Sequence, residues 1–244
     1  MSDPLSAAAA AASKEVVVQS FAILDRVVGP VATELGEYLR GSFRSWRTTN
    51  ANRIAQKAKA GLDKVEPSWR ADPRAVAAIF ESGSWTDNDQ LQDMWANLLV
   101  TSMSADGNSD ETLLLTAILN QMTAGQAKIL KRVMSKTGVL RQYQIARSGN
   151  SIELTGLEWL RQTGVATISE LSASLDSLRS LNLVDEKSGY QSGEAADLRM
   201  RIYPTTLCML FYARTQGHFG NPKDFYPISG ATKKYPNLVR RDPT

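Results

Sequence analysis

Asp87, Asp89 and Asp93 crowd three carboxylates into one short stretch, an arrangement that could share a proton or hold a divalent cation. Their position argues for a plainer role. They fall at the expected start of a helix, where the positive end of the helix dipole stabilises carboxylates without any metal. The single histidine, His218, lies between Gly217 and Phe219 in the C-terminal region, so a histidine-based nucleophile relay, a zinc site or an iron facial triad lacks its ligands. The single cysteine, Cys208, is enclosed by Leu207, Met209, Leu210 and Phe211 and reads as a buried structural thiol. Gly138, Gly156 and Gly164 are isolated helix punctuation and form no phosphate-cradling loop. No catalytic, cofactor-binding or metal-ligating residue is assigned, and no small-molecule substrate is expected. The chain reads as a binding protein, not an enzyme.

The residues that remain for function are aromatic and basic. Arg40, Arg44, Trp46 and Arg47, together with Phe21, are the expected partner-binding residues. They belong to Val16–Val65, a segment with more apolar side chains than a small bundle needs to cover, rimmed by arginines. An apolar excess of that kind marks an interaction site more often than idle surface. Self-assembly or a partner protein is the preferred occupant, because Gly36 and Gly41 suit close helix–helix contact. An anionic membrane surface is the alternative, since aromatic-plus-basic clusters also occur on helices that lie on membranes. For Trp46 alone, packing into the core is favoured.

The elements that must hold these residues follow from composition and periodicity. The chain has 244 residues, 43% of them hydrophobic, enough for one large or two small domains with a real core. No run approaches the roughly 18 apolar residues of a membrane-spanning helix. The N-terminus has no basic region ahead of Ala7–Ala12, so a signal peptide is not expected. One cysteine fits a reducing cytoplasm, with the inner-membrane surface as the alternative location. Net charge is only +3, but it is arranged in blocks: largely basic from Arg40 to Arg74, acidic from Glu81 to Glu111, basic from Lys128 to Arg147. Neighbouring blocks of opposite sign should pair, within one chain or between protomers.

Residues 14–138 read as a helical bundle behind a flexible 1–13. Val16–Val28 ends at Gly29-Pro30, and a second helix runs from Val31 to about Val65 with Ile54 and Leu62 on one face. Asp72-Pro73 places an N-cap ahead of proline at the first helical position. Thr86 is expected to cap the next helix, in which Leu91, Met94, Trp95, Leu98 and Leu99 recur at helical spacing. Ser109 should cap Leu113–Gln121, and Thr123 with Gln126 a helix ending near Lys136.

Residues 139–216 change character. Ser169 is expected to cap a helix with Leu171, Leu175, Leu178 and Leu181 in line, and Trp159 sits in another apolar helical pattern. After the first of these come Asn182 in a left-handed stop, the short strand Leu183-Val184, a loop from Gly189 to Gly193 and the strand Leu198–Tyr203. That order suits a winged-helix-like α+β module, followed by a helix over Thr205–Gln216 and an extended C-terminal arm over 217–244. The outward positions of the module's second helix are Glu170, Ser172, Ser174, Asp176, Ser177, Arg179 and Ser180, and the wing holds Asp185, Glu186, Glu194 and Asp197. Phosphate contacts supply much of the affinity for DNA, so this acidic, serine-rich face makes nucleic acid the less favoured partner. A nucleic-acid-binding regulator stays as an alternative.

One stretch carries a family resemblance. An acidic turn, then Leu91-Gln92-Asp93 and Trp95-Ala96-Asn97-Leu98-Leu99, is similar to the signature of the bacterial abortive-infection alpha family. Arg44-Ser-Trp-Arg47 leading into Ile54–Lys59, and Leu119–Met122 with Gln126–Leu130, fit the same family, so the resemblance runs over roughly residues 30 to 216. It implies a role in resistance to phage and no particular reaction.

Overall fold

A computed structural model describes residues 45–103, 110–138, 151–190 and 199–227. Its backbone is mainly helical, with one small antiparallel sheet of three strands. The chain divides into two compact units, the first comprising Met1–Ala124 with Arg214–His218 and the second Gly125–Ala213 with Phe219–Thr244.

Four described helices build the first unit: α1 (Ser45–Leu62), α2 (Pro73–Gly83), α3 (Asp89–Thr101) and α4 (Asp110–Asn120). Helix α1 runs along α3 with a face of Ala51, Ile54, Ala55, Ala58 and Leu62, all buried. The alanines keep that face flat, and Gly61 completes it: a Cβ there would stand 3.0 Å from Val100 Cγ1. Helix α2 starts as its sequence dictates, with the Asp72 carboxylate accepting from the Arg74 N–H and Pro73 in the first turn. Helix α3 is the centre, with Leu91, Met94, Trp95, Leu98 and Leu99 all buried.

The start of α3 differs from the sequence expectation. Asn88, not Thr86, is the N-cap, its Oδ1 accepting from the Leu91 N–H at 3.1 Å. Thr86 acts one step earlier, accepting from the Asn88 N–H. Asparagine is the better cap, and the helix accordingly begins two residues later. Asp87 therefore precedes the helix, and Asp89 alone lies in the first turn.

The second unit holds α5 (Ala124–Met134, all but its first residue), β1 (Ile152–Thr155), α6 (Gly156–Thr163), α7 (Ile168–Ser180), β2 (Gly189–Tyr190), β3 (Arg199–Ile202), most of α8 (Thr206–Thr215) and the short α9 (Pro222–Phe225). Strand β3 is central, giving the order β1–β3–β2, with Ile152 opposite Ile202 and Thr155 opposite Arg199 in the first pair. Helix α6 is fixed at both ends. Thr155 and Glu158 make a capping box, and Gly164 closes it at φ 69°, a conformation that glycine adopts without Cβ strain. Trp159 is fully buried and donates to the Met200 carbonyl of β3 at 3.3 Å.

Several expectations shift here for physical reasons. Thr167, not Ser169, caps α7, accepting from the Glu170 N–H, because it stands at the residue where the backbone is still extended. Asn182 does take the left-handed conformation, at φ 56°. Leu183 and Val184 are buried, but Val184 makes only an isolated bridge to Pro204, and the paired strand is Gly189–Tyr190, where a loop is expected. In α8 the fully buried side chains are Cys208, Met209, Phe211, Ala213 and Thr215, while Leu207 and Leu210 are half-buried. Where an extended arm is expected, Asn221 caps the short α9, and the buried Tyr226 donates to the Met209 carbonyl at 2.7 Å. The Val16–Val28 helix, the Ser109 cap, residues 191–198 of the wing and everything after Pro227 lie outside the described residues.

Candidate binding surface

Two tryptophans stand on the surface of the first unit. Trp46 is 46% exposed and Trp85 62% exposed, so Trp46 is not the core residue that its helical position suggests. The reason is local. Trp46 lies in the first turn of α1, beyond the end of the alanine-rich face that meets α3, and its ring meets Trp85 instead, with centroids 6.2 Å apart and planes tilted by 53°. Arg47 lies over the other aromatic of the pair, its Cζ 4.1 Å from the Trp85 ring centre. A guanidinium on an indole face gains electrostatic attraction while leaving the ring accessible.

Polar side chains hold this cluster in one arrangement. Arg47 Nε donates to Ser84 Oγ at 3.0 Å and Nη2 to the Glu81 carbonyl at 3.2 Å, placing a cation at the negative end of α2. Beneath it, the fully buried Asn50 donates to the Ser84 carbonyl at 3.1 Å, and Gln92 donates to the Thr86 carbonyl at 3.0 Å. The turn that presents Trp85 therefore has its carbonyls satisfied from α1 on one side and α3 on the other. Gly83 makes the crossing possible, since a Cβ there would meet Ile54 Cδ1 at 2.8 Å and the Trp95 ring at 3.0 Å. Of the sequence-derived binding residues, Trp46 and Arg47 come together here. Phe21, Arg40 and Arg44 lie outside the described residues. Trp85, Ser84 and Asn50 are the members that sequence reasoning missed. An exposed aromatic at a helix end without an apolar repeat was the available signal for Trp85.

The opposite charge blocks pair within the chain. Lys57 of α1 reaches Asp89 at 2.7 Å and Asp93 at 2.5 Å, two carboxylates one turn apart on α3. Burial works against the Lys57 charge, but the hydrogen bonds and attraction of both carboxylates outweigh it and raise its pKa. Asn97, on the same helix, donates to the Thr215 carbonyl at 3.0 Å, and Thr101 donates to the Arg214 carbonyl at 3.3 Å. Arg214 in turn pairs with Glu111 of α4 at 2.6 Å. These polar positions of α3 and α4 thus bind the Arg214–His218 segment that closes the first unit.

In the second unit the surface of α7 is occupied by its own contacts. Arg179 pairs with Asp176 and donates to the Ser188 carbonyl, and Ser172 shares a hydrogen bond with the Tyr190 hydroxyl. Cys208 is fully buried beside Met134, and burial pushes its thiol up to about 12. Among the described residues no group of three or more histidine, cysteine, aspartate or glutamate side chains is placed to hold a metal ion, and no helix is long and apolar enough to cross a membrane.

A mainly helical chain organised around the Trp95–Leu99 helix is the class that these features define. The sequence model described as abortive infection alpha matches residues 47–203, from Arg47 of the aromatic cluster to Tyr203 just after β3, and the chain belongs to that family. No curated protein and no solved structure matches it. Membership associates the protein with abortive infection, the bacterial response to phage.

Proposed function

We propose that this protein acts in phage defence by protein–protein binding and self-assembly, without catalysing a reaction. The observation that carries the reading is the Trp46–Trp85 pair with Arg47 across it, exposed yet locked in place by Ser84 and Asn50. Tryptophan and arginine dominate binding hot spots, because each buries a large area on contact at little entropic cost when already held in position. The occupant is a second copy of the chain, whose Val16–Phe43 stretch supplies the complementary apolar side chains. The silent thiol of Cys208 supports the non-enzymatic half of the reading. Light scattering over a range of concentrations tests it. The wild-type protein should form oligomers, and Trp46→Ala with Trp85→Ala should lower the oligomeric state without lowering the melting temperature. A wild-type protein that stays monomeric at high concentration, or a double variant that assembles unchanged, refutes the reading.

A second reading has its own support. Helix α5, strand β1, helices α6 and α7, then β2 and β3 in the sheet order β1–β3–β2, is the succession of a winged helix, so the second unit could dock on nucleic acid. The tied-up Arg179 and the acidic face of α7 weigh against the usual major-groove docking. Sequence-specific footprinting on a duplex at physiological salt, lost on Arg179→Ala, would establish this alternative. A third occupant, an anionic membrane, would be recognised by liposome binding that depends on Trp46 and Trp85.

A further inference from the structure

A cleft of about 580 Å³ opens in the second unit between the end of α5 and the sheet. Its walls are Arg132 and Lys136 on one side and Ser151, Ile152, Glu153, Leu154 and Tyr203 on the other. The volume falls in the range of small-molecule sites.

The charges of this cleft do not balance. Glu153 is its one carboxylate, and β3 already claims it: Arg201 pairs with it closely and Arg199 at 3.5 Å. The Arg201 hydrogen bond, aided by its charge and by Arg199, holds the Glu153 carboxyl below the usual range, so the group stays ionised and engaged. Arg132 and Lys136 stand one turn apart and face the cleft together. Among the described residues neither has an ion-pair partner, and Arg132 Nε is buried there with no acceptor. The negative end of α5 favours cations in its last turn, yet supplies nothing to that N–H. A buried cationic donor without an acceptor is costly and calls for a missing partner. Opposite the two cations, Ser151 and Tyr203 add hydroxyls, while the Tyr203 ring, Ile152 and Leu154 add an apolar wall.

We infer that this cleft binds a small phosphorylated molecule of about mononucleotide size, its phosphate on Arg132 and Lys136 and its flat or apolar part against Tyr203, Ile152 and Leu154. An ionised phosphate supplies several acceptors at once, which suits a paired guanidinium and ammonium better than a single carboxylate does. The ligand is held and not turned over.

Calorimetric titration of the full-length protein with adenosine monophosphate and, separately, with inorganic phosphate tests this at low and physiological salt. The nucleotide should bind saturably, and phosphate about tenfold more weakly because it lacks the apolar contact. Lys136→Gln, an exposed position that leaves the fold intact, and Arg132→Gln should each weaken nucleotide binding about tenfold, the loss of one charge-assisted contact. Glu153→Gln should tighten it, because one negative charge leaves the site, a change that a merely structural role would not produce. Absence of saturable binding of both probes at millimolar concentration overturns the proposal. So does binding that Lys136→Gln leaves unchanged, or a single-stranded oligonucleotide that binds through Lys136 while the mononucleotide does not.

Discussion

Both units combine ion pairs with side-chain hydrogen bonds to carbonyls, yet their two candidate sites lean on different kinds of polar contact. In the first, Asn50, Gln92, Asn97 and Thr101 donate to backbone carbonyls at helix ends and turns, three of them at buried or half-buried positions on α3 itself. In the second, charged side chains bond to one another on the sheet and along α7, as Glu153 with Arg199 and Arg201 and Asp176 with Arg179. The first arrangement costs a large penalty if one member is removed, since a buried group loses its partner, and it is insensitive to salt. The second is half-buried to exposed, weak per pair, and responsive to salt and pH. The lesson is that one chain can place geometric precision in one region and electrostatic adjustability in another. The locked aromatic pair sits in the former and the unbalanced cleft in the latter.

The largest expected effect lies in the first unit. Trp95→Ala removes a side chain that is 3% exposed at the meeting point of α1, α2 and α3, and should cost about 3–5 kcal/mol, read as loss of folded protein or a collapsed melting temperature. An undiminished melting transition would remove α3 from the centre of the fold.

A smaller effect sharpens the geometric half of the contrast. Gly83→Ala would gain roughly 1 kcal/mol of helix propensity. Against that, the new Cβ would press on Ile54 and the Trp95 ring, and overpacking of a buried site costs about 1–3 kcal/mol. The clash should win, giving a net loss in chemical denaturation, whereas a stabilised variant would show that the crossing of α2 over α1 and α3 has slack.

The smallest effect tests the electrostatic half. Because its pKa is depressed in the folded state, first by the Arg201 hydrogen bond, Glu153 contributes stability that is fully present above its ordinary pKa. That contribution is lost as pH falls through the lowered native value. Protection factors of the β1 and β3 amides, which divide out the intrinsic slowing of exchange in acid, should therefore fall as pH is lowered, and Glu153→Gln should flatten that fall while leaving the amides of α3 unchanged. Equal acid sensitivity in α3 would erase the distinction between the units.

What could be read from the sequence alone was whatever rests on nearest neighbours along the chain. Helical periodicity placed Leu91, Trp95, Leu98 and Leu99 in the core, Asp72-Pro73 started α2, Asn182 stopped α7 in a left-handed turn, and the residues around Trp95 carried the family resemblance. Each of these depends on interactions within about a turn, which the order of residues contains. Tertiary structure decided the rest. Strand β1 alternates apolar and polar over only the four residues Ile-Glu-Leu-Thr, too short a pattern to fix a strand by itself, and it pairs because β3, tens of residues later, offers it backbone partners and an arginine for Glu153. Trp46 shares the helical phase of a core residue, and only the length of the α1–α3 contact leaves it outside, against Trp85. Asn97 finds its carbonyl at Thr215, and the buried Arg132 Nε is left without an acceptor among the described residues, because the chain's path through space, not its local order, sets which polar groups meet.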